Sequence, residues 1–180
     1  MTDPAPDALP RLSAGLLTTD ATLEIFDRLP PASLAGMIGG WEGRGVATGH
    51  PLDGLLEAYG WRGKRFDSAE AAHPLLFGKD GAVFAISPAL LPLGLALRFA
   101  PLLRHRAVAA IGRPALRLLR SRQPQARLRM VEYRGVTTAT MIYDALPILD
   151  SFRRIDDDNL LGAMDLRQSD RPFFFLLRRR

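Results

Sequence analysis

Three histidines, a modest set of carboxylates and no cysteine define the chemistry open to this chain. Without cysteine there is no disulfide, no zinc–thiolate centre and no thiol nucleophile. His50 and Asp53 sit close together in Thr48-Gly49-His50-Pro51-Leu52-Asp53. With Glu132 they are the groups that would act as acid and base in a small enzyme working on an apolar substrate. A plainer reading holds beside it: His50 and His73, each followed by proline, are polar turn residues held by backbone hydrogen bonds. His105 lies among arginines and reads as solvated. Asp156-Asp157-Asp158 lacks the spaced ligands and glycine bend of a loop cation site and reads as a hairpin turn, so no metal is expected. No phosphate-cradling glycine loop or nucleophile elbow is present.

A second group of residues suits binding rather than catalysis. In an extended Pro147–Ile155 run, alternation places Ile148, Asp150, Phe152 and Arg154 on one face and Leu149, Ser151, Arg153 and Ile155 on the other. On the Arg127–Arg134 run, Glu132 and Arg134 share a face with Leu128 and Met130. A few ionic groups among apolar ones are what a pocket for an amphipathic ligand requires. Tyr143, at the end of the intervening run, joins these candidates. The opposite assignment stands equally, because a one-residue slip of register would turn the charged members outward.

The elements needed to position these groups are mostly strands. Residues 1–17 read as a flexible leader and residues 18–180 as one barrel domain. A helix is expected from about Thr19 to Leu29, capped by Thr19 or Asp20, with Leu23, Phe26 and Leu29 on one face and Pro30-Pro31 ending it. A helical turn through Ser33–Met37 then leads into a strand carrying Gly39-Gly40-Trp41-Glu42-Gly43. Further strands are expected at Trp61–Ser68, His73–Phe77 and Ala82–Ser87, completing a first part over 30–87. Residues 88–126 form a helical insert, with breaks near Pro101 and Gly112-Arg113-Pro114. Over 127–180, Arg127–Arg134, Val136–Tyr143, Pro147–Ile155, Asn159–Asp165 and Phe173–Arg178 follow at short intervals, as an antiparallel meander does. Some eight to ten strands suit a closed barrel better than an open sheet. Phe173–Arg178 is apolar on both faces, so it needs cover on both: the barrel interior on one, the N-terminal helix or the insert on the other.

Charge is sharply segregated. The formal net charge is +5, yet residues 81–131 hold nine arginines and no acid, while the rest of the chain is acidic or balanced. The insert is therefore cationic and amphipathic, with Arg113, Arg117 and Arg120 at helical spacing. It reads first as a cover for the barrel and next as a portal whose basic face meets anionic lipid. Nucleic acid is disfavoured, since no aromatic stacking residues accompany the arginines. The acidic, proline-rich first residues are unlike a secretory signal, so the expected setting is cytoplasmic, with peripheral contact at the inner membrane face through residues 88–122.

The glycine-flanked tryptophan ahead of an antiparallel barrel resembles the calycin arrangement of lipocalins and fatty-acid-binding proteins. That resemblance implies that an arginine near the chain end, Arg178 or Arg179, packs over Trp41 and closes the barrel through a cation–π contact. A more specific resemblance rests on several blocks: Gly39–Gly43, Thr48–Leu56, Gly60–Phe66 and His73-Pro74-Leu75. Later blocks are Glu132–Val136, Met141–Asp144, Phe152–Asp158 and Leu161–Asp165. Together they resemble the bacterial GXWXG-domain family and the domain of unknown function that usually follows it. This implies a lipocalin-like barrel and no particular activity. The first-strand motif also resembles nitrobindins, which hold haem through a late-strand histidine; none follows His105 here, leaving only Tyr143 or Met164 as substitutes, and no cofactor is expected. The reading that results is a mainly β protein, a single antiparallel calycin-like barrel of about eight to ten strands with an N-terminal helix and a central basic helical insert. It would bind a small hydrophobic or amphipathic ligand, such as a fatty acid or phospholipid, without catalysis. The binding candidates are His50, Glu132, Arg134, Tyr143, Asp150, Phe152 and Arg154, with Trp41 and Arg178 as the closure.

Overall fold

In the computed structural model, residues 7–79 and 81–180 are described. Nine strands form one antiparallel sheet that closes on itself. They are β1 (Gly39–Val46), β2 (Trp61–Ser68), β3 (Ala71–Phe77), β4 (Phe84–Ala85), β5 (Ala126–Tyr133), β6 (Val136–Tyr143), β7 (Ile148–Arg154), β8 (Asn159–Leu166) and β9 (Phe173–Arg179). Following the hydrogen bonds gives β2-β1-β9-β8-β7-β6-β5-β3-β4, and β2 also pairs with β3. Eight strands thus form a closed barrel and β4 hangs on β3 as a short extra edge. Apart from that excursion every strand neighbours the next in sequence, and closure removes the exposed edges that an open sheet would carry.

Closure depends on the pairing of β1 with β9, which runs from Trp41 opposite Arg179 to Val46 opposite Phe174. The alternation expected of the last strand is observed. Phe173, Phe175 and Leu177 belong to the core inside the barrel. Phe174 and Leu176 point outward and are covered by helices α1 (Ala8–Ser13) and α2 (Thr19–Arg28). Burying such a side chain stabilises the fold by about 1.5–3 kcal/mol. Helix α2 forms because the Thr18 hydroxyl accepts a hydrogen bond from the Ala21 N–H at its start and Pro30 follows its end. The expected face of Leu23, Phe26 and Leu29 packs into the outer core, with Leu23 partly buried, and Thr22 and Ile25 widen it. The leader, expected to be loose, contributes α1, whose Ala8 and Leu12 join this outer core; residues 1–6 lie outside the described residues. A turn of helix α3 (Leu34–Met37) then feeds β1.

The expected strand at Ala82–Ser87 shrinks to the two residues of β4. The insert follows as a 3-10 turn (Pro88–Leu90), helices α5 (Leu93–Leu103) and α6 (Arg106–Ala115), and a second 3-10 turn (Leu116–Leu119). The break expected near Pro101 is a kink at Phe99, where the backbone leaves helical geometry because the proline ring blocks the preceding turn. The insert lies against the connection between β1 and β2, which contains the short helix α4 (Leu55–Ala58). The Arg104 guanidinium donates to the Asp53 carbonyl at 3.0 Å and that of Arg113 to the Ala58 carbonyl at 2.6 Å. Leu55, Leu56 and Tyr59 from the connection, with Leu93, Leu97 and Leu119 from the insert, pack onto the barrel core. The expected cover is therefore in place at the β1–β2 end.

Candidate functional site

The barrel interior holds one buried ion pair, and half of it comes from a residue that strand alternation hides. On β2 the inward positions are Trp61, Lys64 and Phe66, an odd spacing that a regular strand forbids. The register against β3 shifts between Trp61 and Gly63 and again between Gly63 and Arg65. Gly63 sits at φ +122°, and a Cβ there would lie 1.9 Å from the Trp41 carbonyl oxygen, so only glycine allows this bulge. The bulge turns Lys64 into the core. Its ammonium lies 2.8 Å from Asp150 Oδ2, 3.2 Å from the Pro74 carbonyl and 3.5 Å from the Tyr143 hydroxyl. The rings of Phe175, Trp61 and Tyr143 surround it at 4.7, 5.6 and 5.8 Å. The chain has 22 arginines and only two lysines, and a lysine fills this position because a compact ammonium fits where a planar guanidinium would need wider space.

Asp150 and Tyr143, both expected in the pocket, meet here. Tyr143 donates to Asp150 Oδ2 at 3.3 Å. Burial pushes the Asp150 carboxyl above its ordinary value; Lys64 and the Tyr143 hydrogen bond offset part of that rise. Burial likewise pushes the Tyr143 phenol well up, aided by the neighbouring carboxylate, so it stays a donor. Two polar atoms in this nest have no partner: Asp150 Oδ1, an acceptor, and Trp61 Nε1, a donor. Unpaired buried polar atoms of this kind cost about 1–3 kcal/mol each, and they mark where a polar group of a ligand or a water would be stabilised.

Phe152 is interior as expected, edge-on to Phe66 at 5.9 Å and to Phe175 at 6.0 Å. The register question is thereby resolved: Ile148, Asp150 and Phe152 face inward. Arg154, on the same face, lies at the end of β7, where it is exposed and pairs with Asp157 at 3.0 Å. Glu132 and Arg134 are corrections. The inward residues of β5 are Ala126 and Leu128; beyond them Met130 and Glu132 emerge on the surface, because β3 pairs with β5 only at its start. Arg134 occupies the β5–β6 turn with a positive φ of 53° and makes a two-pronged contact with Asp27 of α2, at 2.7 Å on each prong.

His50 is buried, with both ring nitrogens engaged in local hydrogen bonds. Its Nδ1 accepts the Leu52 N–H at 3.1 Å, which leaves Nε2 to donate to Ser169 Oγ at 3.1 Å. Asp53 Oδ2 accepts the backbone N–H groups of Thr48, Gly49 and His50. Burial lowers the pKa of His50, keeping it neutral. Glu132 lies near the β5–β6 turn, at the opposite end of β6 from Tyr143, so His50, Asp53 and Glu132 form no joint acid–base site. Among the described residues, no group of three or more histidines and carboxylates is arranged to hold a metal. Asp156 instead accepts hydrogen bonds from the Asp158 N–H and the Asn159 side chain, as a turn residue does.

The closing latch is Arg179 rather than Arg178. The Arg179 guanidinium stacks 4.3 Å from the centre of the Trp41 ring and donates to the Ile38 and Gly36 carbonyls. Leu177 points inward, so alternation sends Arg178 outward and returns Arg179 to the barrel end. The Trp41 indole donates to the Met37 carbonyl at 2.7 Å. Gly43 completes the motif, because a Cβ there would stand 2.3 Å from the Trp61 ring. One groove of about 640 Å³ lies beside α1 and β9, and another of about 520 Å³ lies at the closed barrel end beside Trp41, Arg154 and Arg179; neither is lined by Lys64, Tyr143 or Asp150.

Residues 24–81 match the GXWXG protein family and residues 124–179 match a domain of unknown function (DUF4334), in that order. The chain belongs to the GXWXG family. It is similar to a protein from Thermomonospora curvata whose crystal structure is solved, at 30% identity over 98% of each chain and a TM-score of 0.72. No curated protein matches it. The two matched segments meet in one barrel: the first supplies β1 to β3, the second supplies β5 to β9, and the insert lies between them.

Proposed function

We propose that this GXWXG protein binds a small molecule with an apolar, aromatic-sized body and one hydrogen-bonding group, without catalysis, at the helix-covered end of its barrel. The observation that carries this reading is the pair of unpartnered polar atoms, Asp150 Oδ1 and Trp61 Nε1, in an aromatic nest around Lys64. A hydroxyl both donates and accepts, as those two atoms require. The aromatic walls supply the apolar contact that holds most small ligands. The remainder of the interior argues for a short body over a long acyl chain. Trp41, Phe66 and Phe152 are essentially unexposed, and a fatty-acid tail threaded along the axis would have to displace them. A ligand entering at this end would pass Leu55, Leu56 and Tyr59, which are only half-buried.

The test is a titration with 1-naphthol and, separately, with cis-parinaric acid, read by calorimetry and by ligand fluorescence. Naphthol is expected to bind at micromolar concentrations and parinaric acid at least tenfold more weakly. Trp61→Phe keeps an aromatic side chain and removes the N–H donor, so it should lower naphthol affinity several-fold, and the smaller buried ring should cost about 1–3 kcal/mol of stability. Absence of naphthol binding, or affinity untouched by Trp61→Phe and Asp150→Asn together, refutes the reading.

A further inference from the structure

The insert has an outward face that nothing in the fold uses. Helix α5 is apolar on two sides. Leu93 and Leu97 pack onto the barrel core, and Ala100 on the same side is buried. Leu95, Phe99 and Leu102 recur at helical spacing on the other side and are 56%, 44% and 60% exposed. Leu90 just before the helix, Ile111 on α6 and Leu118 after it are exposed as well, at 61%, 80% and 87%. A single exposed leucine is ordinary. Here six of the nine large apolar side chains exposed among the described residues fall between positions 90 and 118, which concentrates them on one element.

The same element concentrates positive charge. Arg98, Arg104, Arg106, Arg113, Arg117, Arg120 and Arg122 are all exposed, and no acidic residue occurs between positions 81 and 131. Among the described residues none of the seven is paired with a carboxylate. Arg104 and Arg113 bond to neutral backbone carbonyls, while Arg98 and Arg120 lie over the rings of Phe99 and Phe84. Elsewhere in the chain, Arg65, Arg127, Arg129, Arg134, Arg154 and Arg179 each meet a carboxylate within 4.0 Å. The insert thus sets seven arginines without a carboxylate partner among the described residues beside exposed hydrocarbon.

We infer that the outward face of α5 and α6 docks on an anionic lipid surface, with Leu95, Phe99 and Leu102 entering the headgroup boundary and the flanking arginines meeting lipid phosphates. Charge complementarity selects this occupant. A second copy of the chain would bring two uncompensated cationic faces together, which repel. Nucleic acid would offer phosphates but no place for three aliphatic and aromatic side chains at helical spacing. A bilayer interface accepts both, since long basic side chains lay their stems on hydrocarbon while the charged head stays with phosphate. Among the described residues no helix is long and apolar enough to cross a membrane, so the contact is on the surface of one leaflet. The inference is independent of what the barrel binds.

The experiment is flotation of the full chain with vesicles of pure phosphatidylcholine and with vesicles of phosphatidylcholine and phosphatidylglycerol at three to one, in low and high salt. The protein is expected to float with the anionic vesicles in low salt, to dissociate in high salt and to stay behind with pure phosphatidylcholine. Arg98→Glu/Arg106→Glu/Arg117→Glu should weaken binding at least about a hundredfold, since each basic residue near an anionic surface contributes about a factor of five. Leu95→Ser/Phe99→Ser/Leu102→Ser should also release the protein, and circular dichroism should show an unchanged fold because all three side chains point outward. Equal binding to both vesicle types, no flotation with anionic vesicles, or indifference to both triple variants overturns the inference. So does concentration-dependent self-association that the Ser variant abolishes, which would make the occupant a second copy, and so does duplex DNA binding tighter than vesicle binding.

Discussion

Replacing Lys64 by methionine is the sharpest probe of the barrel interior, because it isolates one charge in a dry place. Once the ammonium is gone, Asp150 keeps only the Tyr143 hydroxyl at 3.3 Å, and its Oδ1 remains without a partner. A lone buried carboxylate is too costly to persist, so it takes up a proton on folding. Relative to an ordinary value of 3.8, protonation at pH 7 costs about 3.2 pH units, or about 4 kcal/mol at about 1.36 kcal/mol per unit. That is the expected loss for Lys64→Met, and it falls within the range for breaking a buried pair. The sign with pH follows. A carboxyl whose folded-state pKa is raised contributes full stability below its unfolded value and loses it as pH rises through the folded value. The deficit of the variant should therefore shrink to about 1 kcal/mol at pH 4.5. Lys64→Met/Asp150→Leu removes both charges and should return to within about 1.5 kcal/mol of the parent, or exceed it. Urea unfolding followed by circular dichroism at both pH values measures each quantity. A loss below about 1 kcal/mol at pH 7, a deficit that does not change with pH, or a double variant no better than Lys64→Met would show that the pair is not the closed ionic contact described.

Three further outcomes follow from the geometry. Trp41→Ala should cost about 3–5 kcal/mol in urea unfolding and leave naphthol affinity nearly unchanged, while Arg179→Ala costs about 1 kcal/mol and Arg178→Ala close to nothing. Gly43→Ala should cost about 1–3 kcal/mol or more, since the new methyl group meets the Trp61 ring at 2.3 Å, and thermal melting detects it. Asp27→Asn should lose less than about 1 kcal/mol, because both partners of the Asp27–Arg134 pair are more than a third exposed and water screens them. Arg134 holds the Asp27 carboxyl below 3.8, so that small contribution is present above 3.8 and fades as pH falls through the lowered value; parallel melts at pH 7 and pH 2.5 check it.

Much of this arrangement is legible in the chain, and the failures have identifiable causes. The meander from β5 to β9 reads off short turns and alternation, and the two-faced apolar pattern of Phe173–Leu177 correctly requires cover on both sides. Asp150 and Phe152 lie on the face that alternation offered as interior, one of two assignments it left open, and the closed sheet decides between them and brings Tyr143 to the same nest. Glu132, Arg134 and Arg154 fail because alternation tells which face a residue is on but not where the barrel ends; beyond the rim the inward face is surface. Lys64 is missed because the Gly63 bulge breaks the period of two. The signal was available: Trp61 and Phe66, both large and apolar, stand an odd number of residues apart with a glycine between them.

By itself, the sequence determines the barrel, the family, the tryptophan motif and the separation of charge into a cationic insert, because those depend on local pattern and composition. Only the tertiary structure decides which buried groups meet. The contact of Lys64 with Asp150 joins residues 86 positions apart. It exists because β2 bulges and the strands close into a ring, and no local period encodes where two distant strands bring their side chains together inside a closed sheet. The same holds for Arg179 over Trp41: either terminal arginine could have served on composition, and the register between the first and last strands selects one.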